Sequence, residues 1–249
     1  MTDPSATAEP PARPDGQRAA VLRQAASVGL ATGAYGVSFG ALSVASGLSV
    51  LQTCALSLLM FTGGSQFAFV GVVGAGGSGA AALATAGLLG VRNGFYGLQM
   101  APLLRLRGLR RLAAAHLTID ESTAVGTVQQ ALRPDRPDLI AVGFWATGLA
   151  VFALWNLATL VGAVVGDALG DPRRYGLDAA AAAAFLALVW PRLRAAEPRL
   201  VGLAAAAVAV ALVVVAPAGL PVLAAAVVAL LAAWRGPRGR RTTASGAGS

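Results

Sequence analysis

GAAALATAGLLGVRNGFYGLQMAPLL, from Gly79 to Leu104, is the stretch on which the reading of the whole chain turns. The run is long and apolar enough to cross a bilayer, for which about 20 residues suffice, yet it carries Arg92-Asn93-Gly94 at its midpoint. An arginine near the centre of a hydrocarbon slab costs at least about 2.5–3.5 kcal/mol on insertion scales, so it faces a protein interior or a wet cavity and takes a partner. Asn93 and Gly94 are weak helix formers, and a local break beside Arg92 would free backbone N–H and C=O groups at membrane depth. Broken helices of that kind are where transporters hold polar substrates.

Composition places the rest of the chain in the same setting. Of 249 residues, 56% are hydrophobic and 12% charged, against about 25% charged in an average soluble domain. The apolar residues come in blocks too long for a soluble core of this size, which makes a polytopic, all-α transmembrane bundle the expected fold. The net charge of +8 is carried entirely by arginine. Most arginines sit in short clusters between apolar blocks or in the tails, as the cytoplasmic loops of membrane proteins do, and this argues against nucleic acid as a partner. The single Cys54 lies inside an apolar block and can form no internal disulfide.

Working outward, residues 1–20 read as a disordered tail, 21–234 as one transmembrane domain, and 235–249 as a disordered basic tail. The first apolar block, 25–46, follows Arg13, Arg18 and Arg23, which favours a cytoplasmic N-terminus. Gly29, Gly33, Gly36, Gly40 and Ala41 put small residues on one face of that helix, where a second helix can approach closely. The second block, 50–73, is interrupted by Thr62-Gly63-Gly64-Ser65-Gln66-Phe67. That interruption is either a site where backbone approaches a ligand or a set of interhelical hydrogen bonds. Arg105, Arg107, Arg110 and Arg111 form the densest basic cluster between blocks and belong on the cytoplasmic side. Three apolar blocks precede that cluster, whereas a cytoplasmic N-terminus requires an even number of crossings. Either one block is re-entrant or split, or the N-terminus lies outside.

Residues 112–132 are mixed in character and contain Asp120 and Glu121. Such a pair holds a substrate ammonium, answers the charge of Arg92, or takes up a proton; the bland alternative is a cytoplasmic amphipathic helix. His116 reads as a surface or capping residue. Beyond the loop 133–138 lie blocks at 139–165, 177–189, 201–215 and 220–234, so about seven apolar segments are expected, at least one interrupted or re-entrant. No GxxxxGK[ST] phosphate loop, histidine pair or metal-ligand set is present, so neither nucleotide, metal nor other cofactor is expected, and no enzyme.

Five runs, in this order, carry a resemblance: Gly36-Val37-Ser38-Phe39-Gly40-Ala41-Leu42, Thr62-Gly63-Gly64-Ser65-Gln66-Phe67, Leu89-Gly90-Val91-Arg92-Asn93-Gly94-Phe95-Tyr96-Gly97, Asp120-Glu121-Ser122 and Gly176-Leu177-Asp178. Together they resemble the AzlC family over residues 20–234. The resemblance implies the large subunit of a two-component exporter of branched-chain amino acids (valine, leucine, isoleucine) in a bacterial cytoplasmic membrane, working with a small AzlD-like membrane subunit. Where that family often has histidine after the arginine, Asn93 stands here and preserves a hydrogen-bonding group without a titrating one. The candidate substrate-binding residues are Gly63, Gly64, Ser65, Gln66, Arg92, Asn93, Asp120, Glu121 and Asp178. The membrane potential or protons would drive the export, and both termini would be cytoplasmic. An accessory membrane subunit without a transport path of its own is the alternative.

Overall fold

The computed structural model describes residues 14–169, 186, 189–216 and 220–234. Every regular element among them is helical. Helix α1, Pro14–Ala45, opens with Pro14 and Asp15 in its first turn, where a fixed φ and a negative charge both suit a helix N-terminus. Residues 14–20, expected in the N-terminal tail, are therefore helical. The helix stops at Gly47, whose φ of 93° reverses the chain at no side-chain cost.

α1 packs along α7, Pro137–Leu169. Gly29 lies on Ala150, Gly33 on Leu154, Gly36 on Trp155 and Ala158, and Gly40 on Thr159 and Ala163. The partner numbers rise together, so the two helices run parallel. From the other side, Gly162 meets Val37 and Gly166 meets Ala41. The small residues of α1 are thus a packing face. At the shared N-terminal end, Arg136 donates to the Gln17 side chain at 3.2 Å.

Between these two helices in sequence lie two hairpins that enter from opposite ends. α2, Val50–Leu59, begins beside the C-terminal end of α1 with a capping box from Ser49 and Gln52. It runs back toward the middle, where the Ser57 hydroxyl donates to Thr159 at 3.3 Å. After residues 60–63, α3, Gly64–Gly74, returns outward: Phe67 packs on Phe39, and Gly74 lies against Ser46. With 10 and 11 residues, each arm rises only about 15–17 Å, half a hydrocarbon core. The block 50–73 is therefore a re-entrant hairpin and crosses nothing.

α4, Gly79–Leu104, descends from that end past the tip of the first hairpin. Its 26 residues span about 39 Å, enough to cross. The helix is unbroken at Arg92-Asn93-Gly94, contrary to the expectation of a local break there. Arg92 and Asn93 find partners on neighbouring elements while the backbone stays helical, which outweighs a propensity penalty of under about 1 kcal/mol per residue.

The second hairpin enters from the opposite end. α5, Gly108–His116, starts beside the foot of α4, where Ala114 clusters with Met100, Ile140 and Phe144. Its last residue, His116, reaches the Phe61 and Phe152 rings. After residues 117–119, α6, Asp120–Leu132, runs back down α7, with Leu117 and Ser122 on Gly148 and Val125 and Gln129 on Gly143. At its lower end, Gln129 bonds Gln24 of α1 at 3.3 Å. The mixed segment 112–132 thus folds as a half-length hairpin against α4 and α7, with one face buried and the other exposed. Since α1 and α4 run the length of the bundle and α2–α3 does not, Arg105 returns to the end that holds the N-terminus of α1, and Arg133 and Arg136 join it there.

A short 3₁₀ turn, Trp190–Arg194, leads into α8, Ala196–Val213, which packs on α9, Leu220–Trp234. The helical segments Asp15–Ala45, Pro137–Leu169 and Ala196–Val213 are long and apolar enough to cross a membrane, and residues such as Leu51, Leu59 and Leu98 are more than 70% exposed, which suits lipid. This is a multi-pass membrane protein. The apolar blocks do not map one for one onto seven spans, because the second is a folded-back pair; most of the block 177–189 lies outside the described residues.

The α1–α7 contact gives a direct test. A Cβ on Gly40 would run into the Thr159 carbonyl, whereas one on Gly87 would meet nothing within 4 Å. Gly40→Ala is expected to cost about 1–3 kcal/mol through overpacking, and Gly87→Ala to be neutral or stabilising by up to about 1 kcal/mol. Thermal unfolding of the purified chain in detergent measures both.

Candidate functional site

Both breaks are built by the same local device. In the first, Gly63 takes a φ of 54°, and its N–H donates to the Gln66 side chain at 3.1 Å. In the second, the Ile119 N–H donates to Ser122 Oγ at 3.1 Å, and that hydroxyl donates to Leu117 O at 2.6 Å. Each break leaves one end of a helix with free N–H groups and the preceding segment with free carbonyls. In a membrane bundle these need partners.

α4 supplies them. Arg92 Nη1 donates to Asp120 Oδ2 at 2.9 Å, and Nη2 donates to Thr62 O at 3.0 Å. Asn93 Nδ2 donates to Thr118 O at 3.1 Å. Arg92 therefore has its counter-charge in Asp120, each side chain about a third exposed. Glu121 takes a different contact, a 3.4 Å hydrogen bond from the Thr32 hydroxyl of α1.

Between the tips lies a cavity of about 230 Å³. Its charged lining residues are Arg92, Asp120 and Glu121; Thr32, Tyr35, Thr62, Gly63 and Gly64 add polar groups and backbone, and the other walls are apolar. Phe39, buried behind it, packs edge-on to Phe67 at 5.4 Å and stacks with Trp155 at 5.8 Å. The N-termini of α3 and α6 both end at this space, and both favour negative charge.

Of the residues singled out in the sequence, Gly63, Gly64, Arg92, Asp120 and Glu121 line the cavity. Gln66 is fully buried and ties the first hairpin together, its amide donating to Leu56 O at 3.4 Å. Ser65 faces Gly90 of α4, and Asn93 binds the second tip. Asp178 lies outside the described residues. The sequence did not single out Thr32, Tyr35, Val151 or Trp155, which reach the cavity from α1 and α7. The second break also went unread, although an acidic pair followed by serine is a helix-start signal in its own right.

Ser122 is completely buried. Ser122→Ala strips the Ile119 N–H of its partner and should cost about 1–3 kcal/mol. Thr127→Ala, farther along α6, should cost less than about 1 kcal/mol, because its hydroxyl only back-bonds to Thr123 and Ala124 carbonyls. Unfolding in detergent compares the two.

No curated protein and no solved structure matches this chain. The family model described as AzlC protein matches residues 27–169, a span that takes in α1 from residue 27 onward, both hairpins, α4, α7 and every described cavity residue except Val189. The chain belongs to the AzlC family.

Proposed function

We propose that the chain exports branched-chain amino acids across a bacterial cytoplasmic membrane as the large subunit of a two-component secondary transporter, and that it is not an enzyme. The observation that carries this reading is the cavity between the hairpin tips. At about 230 Å³ it is smaller than the roughly 300–1,000 Å³ typical of sites for drug-sized ligands, and it combines charged groups at one level with an apolar wall of Phe61, Phe67, Leu89, Ile119, Val151 and Trp155. A zwitterion with an aliphatic side chain has matching needs. The N-terminus of α3 together with Arg92 answers a carboxylate, Glu121 answers an ammonium, and the wall takes the side chain.

The gathering of Arg18, Arg23, Arg105, Arg107, Arg110, Arg111, Arg133 and Arg136 at one end supports a cytoplasmic position for that end and for the N-terminus. A small AzlD-like subunit is the proposed partner. In support, an added Cβ at Gly87, Gly94 or Gly97 of α4 would meet nothing within 4 Å, and Val91, Phe95 and Leu98 beside them are exposed, a surface suited to a close helix contact. Ionisable groups at the cavity favour coupling to the membrane potential or to protons.

The direct Arg92–Asp120 pair at 2.9 Å favours one second reading, an accessory subunit in which the pair is structural. Efflux from cells preloaded with a valine or leucine dipeptide, carrying this chain and its small partner, tests both. Arg92→Ala, at equal membrane levels, should slow release at least about tenfold, the factor for 1.4 kcal/mol of lost interaction. Unchanged release would overturn the site. Exchanging the charges, Arg92→Asp with Asp120→Arg, should not restore release from an oriented site but should be tolerated by a purely structural pair. Glu121→Gln is expected to raise the apparent KM about tenfold or more by removing the ammonium's counter-charge.

A further inference from the structure

Thr62 and Thr118 hold equivalent places in the two tips. Each immediately precedes the N-cap of the returning helix, Gly63 for α3 and Ile119 for α6, so each carbonyl is a group set free by its break. α4 captures them from consecutive residues, Arg92 at 3.0 Å and Asn93 at 3.1 Å. Neighbouring residues on a helix point about 100° apart, which lets one turn of α4 face two different tips. The ties are unequal. The α5–α6 tip is held twice, through Arg92–Asp120 and Asn93–Thr118. The α2–α3 tip has one such hydrogen bond to α4, from Arg92, and α3 also packs along α4.

Each hairpin also stands between the cavity and one end of the bundle. α2–α3 fills the half toward the C-terminal end of α1, and α5–α6 fills the half toward its N-terminal end. A tip that leaves α4 therefore opens the cavity toward its own end. The junction has hydrogen bonds left to make: Thr62 Oγ1, Ser65 Oγ, Arg92 Nε and Asn93 Oδ1 are buried there without a partner among the described residues. Buried polar atoms without partners carry a free-energy penalty, and four at one joint favour a second arrangement that satisfies them.

We propose that Arg92 and Asn93 are positioning residues that latch the two hairpin tips as opposed gates, Asn93 securing only the α5–α6 gate and Arg92 securing both. This rests on reading the cavity as a transport path, but it concerns which side the path opens to and holds for any solute. Removing Asn93 then exposes the cavity to one side of the membrane alone, which general loosening of the bundle would not do.

The test uses the full chain in a Cys54→Ala background with Val151→Cys, a buried cavity position, as reporter. A membrane-impermeant thiol reagent is applied to vesicles of either orientation. Asn93→Ala should raise labelling from the side of the α1 N-terminus about tenfold, the factor for about one lost hydrogen bond, and leave the other side within about twofold. Arg92→Gln should raise both. Asn93→His, which keeps a ring N–H for Thr118 O, should restore protection. If Asn93→Ala does not reach the membrane, Asn93→Ser is read in the same way. Equal increases from both sides with Asn93→Ala, or no increase from either, would overturn the proposal. Labelling needs no transported solute, so a wrong substrate assignment would fail the efflux assay and leave this result standing.

Discussion

A single guanidinium at the centre of the bundle settles where everything else must be. Arg92 is tolerable at that depth only if its charge and its donors are answered, and the answers come from both ends of the protein: the Thr62 carbonyl from one hairpin and the Asp120 carboxylate from the other. Two chain breaks are needed to bring those groups to one level. The breaks in turn create the helix ends and the space between them. The cavity is thus what remains when two half-length hairpins meet across an arginine.

The pairing also explains why α4 itself remains unbroken at Arg92. A membrane bundle can obtain free backbone groups at membrane depth by breaking the helix that bears its charge or by breaking that helix's neighbours. This chain does the second. Keeping Arg92 on an intact helix fixes its direction, while irregular backbone is confined to tips packed into the core cluster of Phe61, Phe67, Leu117, Ile119 and Trp155.

Much of this was legible in the sequence, for definite reasons. Long apolar blocks require a membrane, the glycine spacing of α1 requires a close partner, and the arginine clusters, with a cytoplasmic N-terminus, ask for an even number of crossings before Arg105. Gly63-Gly64 marked the first tip because glycine is conspicuous in an apolar run. The second tip was hidden, since Leu117-Thr118-Ile119 contains neither glycine nor proline and the following carboxylates read as an answer to the charge of Arg92 rather than as the start of a helix. The break expected at Asn93-Gly94 was misplaced because propensity is weak against tertiary hydrogen bonds, and only the fold shows where those bonds go. Which cavity walls come from α1 and α7 could not be read at all, because Thr32 and Trp155 look like ordinary helix residues until parallel packing sets them side by side.

That parallel packing has a consequence for biogenesis. Gly29 and Ala150, like the other contacts of the pair, are more than a hundred positions apart in the chain, so α1 is synthesised and inserted long before its partner exists. Through that interval its glycine face must rest against lipid or a chaperone, and neither fits as closely as α7 will. A helix made early thus finds its place late, and the packing of this protein is most exposed to error while α7 is still being made.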